Sequence, residues 1–231
     1  MTGDMGDLAI VVAAFLLGHV GISSTPLRPW LKARLGQGPY LGLYSLQSAV
    51  LLVWVVLAWR AAPLVPLWQP AVFWRHLPYG GMAVACILLV GGLAGPNPSM
   101  AGRPGDAGWR PHGVFAVTRH PVMWAIGLWG LVHVGANGDL AALLLFGGLA
   151  ALALGGTVLI DRRKAREEPA AWRGVAAQTS NLPLLALFQG RVRPAGAAAW
   201  LTAVAGGAGL FVLLLLVHPW IAGVAVSSPF P

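Results

Sequence analysis

Six histidines are the residues of this 231-residue chain whose type best suits chemistry: His19, His76, His112, His120, His133 and His218. An imidazole changes charge near neutral pH and, when neutral, offers a lone pair to a proton or a metal ion. Two stand out by their setting. His19 closes an apolar run and has Ser23 about one turn further on. An ionisable ring inside an apolar span is costly and marks a candidate site. The plain alternative is a neutral ring bonded to a backbone carbonyl or to Ser23. His120 stands between Arg119 and Pro121. Proline suits the first position of a helix, which makes His120 the expected N-cap. There the helix dipole disfavours imidazolium and keeps the ring neutral and ligand-competent. The plain alternative is a ring that only caps the helix and meets lipid head groups.

Two such rings at similar depth on separate helices would clamp a planar metal cofactor, as facing helices supply axial ligands to haem in bundle cores. His133 lies thirteen residues past His120, about 20 Å along a straight helix, so the two cannot share one small site. It is expected to pair with His76 or His218, or to pack near Asn137 and Asp139. His112 and His218 are read as interface residues. The single cysteine, Cys86, excludes an intramolecular disulfide and a cysteine-based metal site.

The elements that position these rings follow from composition. The chain is 57% hydrophobic and 10% charged, against about 25% charged in a typical soluble domain. Too few polar side chains remain to cover a water-facing surface, so lipid must cover it. The expected fold is all-α, a polytopic transmembrane bundle of about six spans. The apolar segments run over Leu8–Ile22, Tyr40–Trp59, Gly80–Leu93, Pro121–Gly135, Leu140–Ile160 and Ala195–Trp220. The first, third and fourth are short and need extension or shelter by neighbours. Paired glycines within the segments read as notches for close helix packing. Asp4 and Asp7 stand where a signal peptide would carry positive charge, so the first segment is read as a retained helix.

Loop charge orients the bundle. Loops 23–39, 94–120 and 161–194 carry thirteen basic residues, and the opposite face carries Arg60 and Arg75. That asymmetry puts the basic loops in the cytoplasm, for a bacterium at the inner membrane, with both termini on the other side. The net charge of +8 is thereby a topology signal, and no nucleic-acid partner is expected. Loop 94–120, rich in Pro and Gly, is long enough to be either functional or disordered. DRRKAREE continues the fifth span as a helix, and NLPLLALFQG suits the interface plane.

At this point two resemblances enter. The run HVGISSTPLRPWLKARLGQGPYLGLYSLQSAVLLVW, continued by AVTRHPVMWAIGLWGLVHVGANGDLAALLLFGGLAAL and IDRRKA, resembles the NnrU family of bacterial membrane proteins. It implies a domain over residues 1–194, with an additional C-terminal helix and short tail over 195–231. The resemblance implies a link to denitrification, through the nitrite and nitric oxide reductases. The same domain is similar to the plastid zeta-carotene isomerase, a haem b membrane enzyme whose histidine ligation is redox-dependent. His19, the RHP of Arg119-His120-Pro121, and His133 match its pattern. The resemblance leaves the second axial ligand open between His120 and His133. The depth argument favours His120, because it shares its membrane face with His19. Arg119 and Arg28 are then expected to hold the haem propionates.

The run GVFAVTRHPVMW with DRRKAREEPAAW is also similar to membrane methyltransferases of isoprenylcysteine and phospholipids. That likeness implies an S-adenosylmethionine site of Arg119, His120, Glu167 and Glu168, although Pro169 interrupts the helix there. A third expectation is a non-catalytic assembly or regulatory partner of respiratory enzymes. The lipid bilayer is the environment in every case, and an apolar small molecule is the expected substrate class if there is catalysis.

Overall fold

The computed structural model describes residues 3–100 and 109–223, the Arg75 side chain apart. Arg103, the middle of loop 94–120 and the tail past residue 223 lie outside the described residues. Those described are helices and connections, with one isolated antiparallel bridge between Pro66 and Asp139. Four helices are long and apolar enough to cross a membrane: α1 (Met5–Ser24), α3 (Gln37–Ala61), α6 (Leu140–Glu167) and α9 (Ala197–Ala222). Between them lie the short α2 (Leu27–Leu35) and two apolar 17-residue helices, α4 (Leu77–Leu93) and α5 (Pro121–Asn137). A short α7 (Pro169–Gln178) and the single turn α8 (Leu185–Phe188) follow α6. The protein is a polytopic membrane helix bundle.

All six apolar segments are helical, and their ends differ from the sequence reading where capping adds a turn. α1 begins earlier because the Asp4 side chain accepts from the Gly6 N–H and caps it. At 20 residues it is no longer short. The two 17-residue helices gain shelter instead. α4 packs between α5 and α9, and α5 also packs on α6. α1, α3 and the first half of α6 bury Leu8, Val11, Val12, Phe15, Val55, Leu145 and Phe146 among them. The outer helices stay bare for lipid: α3 buries only Tyr40 and Val55, α9 only Ala203 and Gly207.

Several glycines are packing notches, the paired Gly207 as expected and Gly130 in addition. A Cβ on Gly130 of α5 would lie 2.5 Å from the Phe146 carbonyl oxygen of α6, and one on Gly207 of α9 would lie 2.6 Å from the Ile87 Cα of α4. Gly155 is different, since a Cβ there meets nothing within 4 Å. α5 ends on Gly138, whose φ of +71° closes the helix with a left-handed cap. Within α6, Leu143–Gly147 form a π-helical turn. DRRKARE continues α6 as expected, and the helix breaks at Glu168, where Pro169 starts α7.

The loop read as either functional or disordered is ordered and packed over residues 109–120. Gly113–Ala116 form a buried 3-10 turn, and Phe115 packs with Trp109, Trp172 and Val175. Its backbone is tied to the segment after α7, through Arg119 N–H to Ser180 O (2.9 Å) and Leu184 N–H to Val117 O (2.8 Å). The two segments are thus held together beside the start of α5.

Candidate functional site

Most of the buried polar groups gather where these segments meet the start of α5. The buried polar or charged side chains among the described residues are Asn97, Ser99, Thr118, His120, Thr157, Lys164, Thr179 and Ser180. Burying a polar group is costly without a partner, and most are bonded. Asn97 donates to the Gly92 carbonyl (3.1 Å) and closes the end of α4, and Ser99 Oγ donates to the Arg119 carbonyl (2.5 Å). Asn181 donates to Thr157 Oγ1 (2.9 Å), and its carbonyl accepts from the Trp124 indole (2.8 Å).

At the centre stands an acid absent from the sequence-derived site, Asp161. Its carboxylate accepts from Arg119 Nε at 2.9 and 3.1 Å and from Arg119 Nη2 at 2.5 Å. It also accepts from His120 Nε2 at 2.7 Å. His120 is indeed the residue before α5, with φ/ψ of −120°/53°, but its side chain does not cap the helix. The ring is turned instead to Asp161 and is 1% exposed. With Nε2 donating, Nδ1 carries the lone pair, and Nδ1 is buried with no hydrogen-bond partner. Burial holds the His120 pKa below its ordinary value; the Asp161 hydrogen bond opposes this and Arg119 adds to it.

His19 faces the same space. Its Nδ1 meets Ser48 Oγ of α3 at 3.4 Å, so its partner is Ser48 where the sequence pointed to Ser23; Ser23 pairs with Ser24. The ring packs between Phe15 and Tyr44. A cavity of about 270 Å³ is lined by His19, Arg28, Tyr40, Tyr44, Ser99, His120, Met123 and Arg163, among others. An adjoining apolar cavity of about 470 Å³ shares His19, Met123 and Leu152 and runs between Phe15, Cys86, Ile126 and Trp129.

The remaining expected site residues disperse. His133 Nδ1 donates to the Trp129 carbonyl at 2.7 Å, and its ring lies on Trp129 and Phe146. It lines a separate cavity of about 320 Å³ with Trp74, Asn137 and His218, as the helical distance from His120 requires. Arg119 is held by Asp161 and the Thr179 carbonyl and is not among the residues lining the His19–His120 cavity. Arg28 does line it and is ion-paired with Glu167. Glu168 pairs with Lys164 at 3.0 Å. The residues of the methyl-donor reading are thus divided among three ion pairs. Among the described residues, no group of three or more His, Cys, Asp and Glu is placed to hold a metal ion. A metal at this site would take its protein ligands from the two imidazoles.

Sequence reasoning missed Asp161 and Arg163 as site residues because both sit in DRRKAREE, a run of charges that reads as the solvated helical continuation of the fifth span. The available signal was position: Asp161 is the first charged residue after an uninterrupted apolar stretch of α6. A charge there enters the membrane edge before the loop begins.

No curated protein and no solved structure matches this chain. One family model, described as NnrU protein, matches residues 7–226, through the last long helix. The chain belongs to the NnrU family.

Proposed function

We propose that this NnrU-family protein is a haem b protein of the bacterial inner membrane, with its basic loops in the cytoplasm. His19 and His120 would hold its iron in this reading. One observation carries it: rings from the first helix and from the head of α5 line one cavity. The donor chemistry fits. His120 gives one nitrogen to a carboxylate and keeps a buried lone pair on the other, the arrangement that orients metal-bound imidazoles. The neighbouring apolar cavity offers Phe15, Leu89, Ile126 and Trp129 as walls for a flat, mostly apolar macrocycle.

Bound haem would supply a redox-active iron whose ligation can change with oxidation state. The chain's part is to hold His120 in one tautomer through Asp161 and to keep His19 against Ser48. The physiological role in this reading is redox or isomerase-like chemistry on an apolar molecule, in support of denitrifying respiration. The methyl-donor alternative has less to stand on, because Glu167 and Glu168 are engaged by Arg28 and Lys164.

The test is a visible spectrum of protein purified from haem-replete cells, oxidised and reduced. A Soret band is expected in the parent and in His133→Ala, and is lost in His19→Ala and His120→Ala. A parent without a band, or a band kept by both ligand variants, ends the haem reading. A band lost in His19→Ala and His133→Ala but kept in His120→Ala moves the second ligand to His133.

A further inference from the structure

The cations near the His19–His120 cavity are unequally neutralised. Arg28 faces Glu167, Arg119 faces Asp161 and Lys164 faces Glu168. Arg163, which lines the cavity, forms no ion pair among the described residues, and its Nε is buried without an acceptor. A guanidinium has five donors, no acceptor and a charge it does not lose. Leaving one of its N–H groups dry and unbonded is unfavourable, and in a medium of low dielectric the loss is larger. Two guanidiniums and one engaged carboxylate leave this rim of the cavity with an excess of positive charge. Ser23, Ser24, Tyr40 and Tyr44 place hydroxyl-bearing side chains along the same cavity.

We infer that Arg163, with Arg28 beside it, is a carboxylate-binding subsite, and that the ligand of this cavity is an apolar body carrying a carboxylate at the Arg163 end. The inference deepens the haem reading, in which the carboxylate is a propionate, but it rests on the unpaired donor and not on the histidines. It also reassigns the role expected of Arg119, whose guanidinium is already occupied by Asp161. Arg163 suits the task by geometry as well as charge, because its planar fork grips a carboxylate through two parallel hydrogen bonds.

The experiment uses the full chain in detergent and pairs each acid with its neutral ester. Haem and haem dimethyl ester are titrated by absorbance; spin-labelled stearic acid and its methyl ester are followed by their immobilised fraction. For the parent we expect haem to bind about tenfold or more tightly than its diester, the usual size of one charge-assisted pair. In Arg163→Gln that preference disappears while diester binding stays unchanged, which also shows that the variant is folded. Arg163→Lys keeps the charge without the fork and restores part of it. Equal binding of acid and diester by the parent, or a preference untouched in Arg163→Gln, overturns the inference and leaves the haem reading standing. If neither haem compound binds, the haem reading fails and the stearate pair decides. Immobilisation of the acid alone, lost in Arg163→Gln, upholds the subsite; no immobilisation, or equal immobilisation of acid and ester, overturns it.

Discussion

His120 and Asp161, 41 residues apart in the chain, meet through a 2.7 Å contact between Nε2 and a carboxylate oxygen. The same carboxylate holds Arg119, so one acid on α6 fixes two consecutive residues at the start of α5. Replacing it with an amide leaves a guanidinium with one-seventh of its side chain exposed and no counter-charge. Asp161→Asn is expected to destabilise the fold by about 3 kcal/mol, as breaking a largely buried pair does. Thermal unfolding in detergent checks this, with Arg162→Gln as a solvent-facing control of the same helix. If the protein binds haem, Asp161→Asn also loosens it about 10–100-fold, the usual effect of removing a ligand's orienting partner.

The protonation state of His120 gives a pH dependence with a definite sign. Burial lowers the folded pKa below the ordinary 6.5. The unfolded chain therefore takes up a proton first as pH falls, and stability declines with it. The contribution is complete above about 6.5 and is lost as pH drops from there toward the folded pKa. Thermal midpoints between pH 5 and 8 should fall on the acid side in the parent and fall less in His120→Gln. A parallel slope in the two proteins would remove His120 as the cause.

Close helix contacts predict which glycines tolerate a methyl group. Gly130→Ala forces the carbonyl of Phe146 and the Cβ of Ala150 away from α5, at a cost of about 1–3 kcal/mol for overpacking. Gly207→Ala pushes on the Ile87 backbone in the same way. Gly155→Ala meets nothing and is expected to be neutral or to stabilise by up to about 1 kcal/mol through helix propensity. Melting temperatures of the three variants side by side decide it.

Topology can be read with the protein's single cysteine removed. In a Cys86→Ala background, Leu64→Cys sits on an exposed connection of the weakly basic face, and Ala170→Cys on exposed α7 of the strongly basic one. A membrane-impermeant maleimide added to intact cells should label the first and spare the second until the membrane is opened. The reverse pattern would invert the orientation inferred from the charges.

Much of this was readable in the residues, and the misses have physical causes. Apolar run length locates every long helix, because a backbone in lipid has few alternatives to a helix. Pro121 fixes the start of α5, and with it the place of His120. The thirteen-residue gap separates His133 into another cavity. What periodicity cannot supply is the direction of a polar side chain at a helix end. Ser23 and Ser48 are equally plausible partners for His19 until the packing of α1 on α3 is known. Asp161 and Arg163 look like neighbours in a charge run, yet one closes the His120 pair and the other lines the cavity. That difference arises from a rotation of about 200° over two residues of helix.

The π-helical turn at Leu143–Gly147 now takes on a meaning for the rest of α6. A turn bonded five residues back absorbs one more residue than an α-turn does, while the faces before and after it keep their phase. Ala141 and Ala142 on one side, and Thr157 and Asp161 on the other, therefore stay aimed at their partners despite the surplus residue. Deleting Leu144 should convert that turn to a regular one and leave Asp161 facing His120. Deleting Leu149 instead would swing everything beyond it by about 100°, so the two shortenings, five positions apart, should have opposite fates.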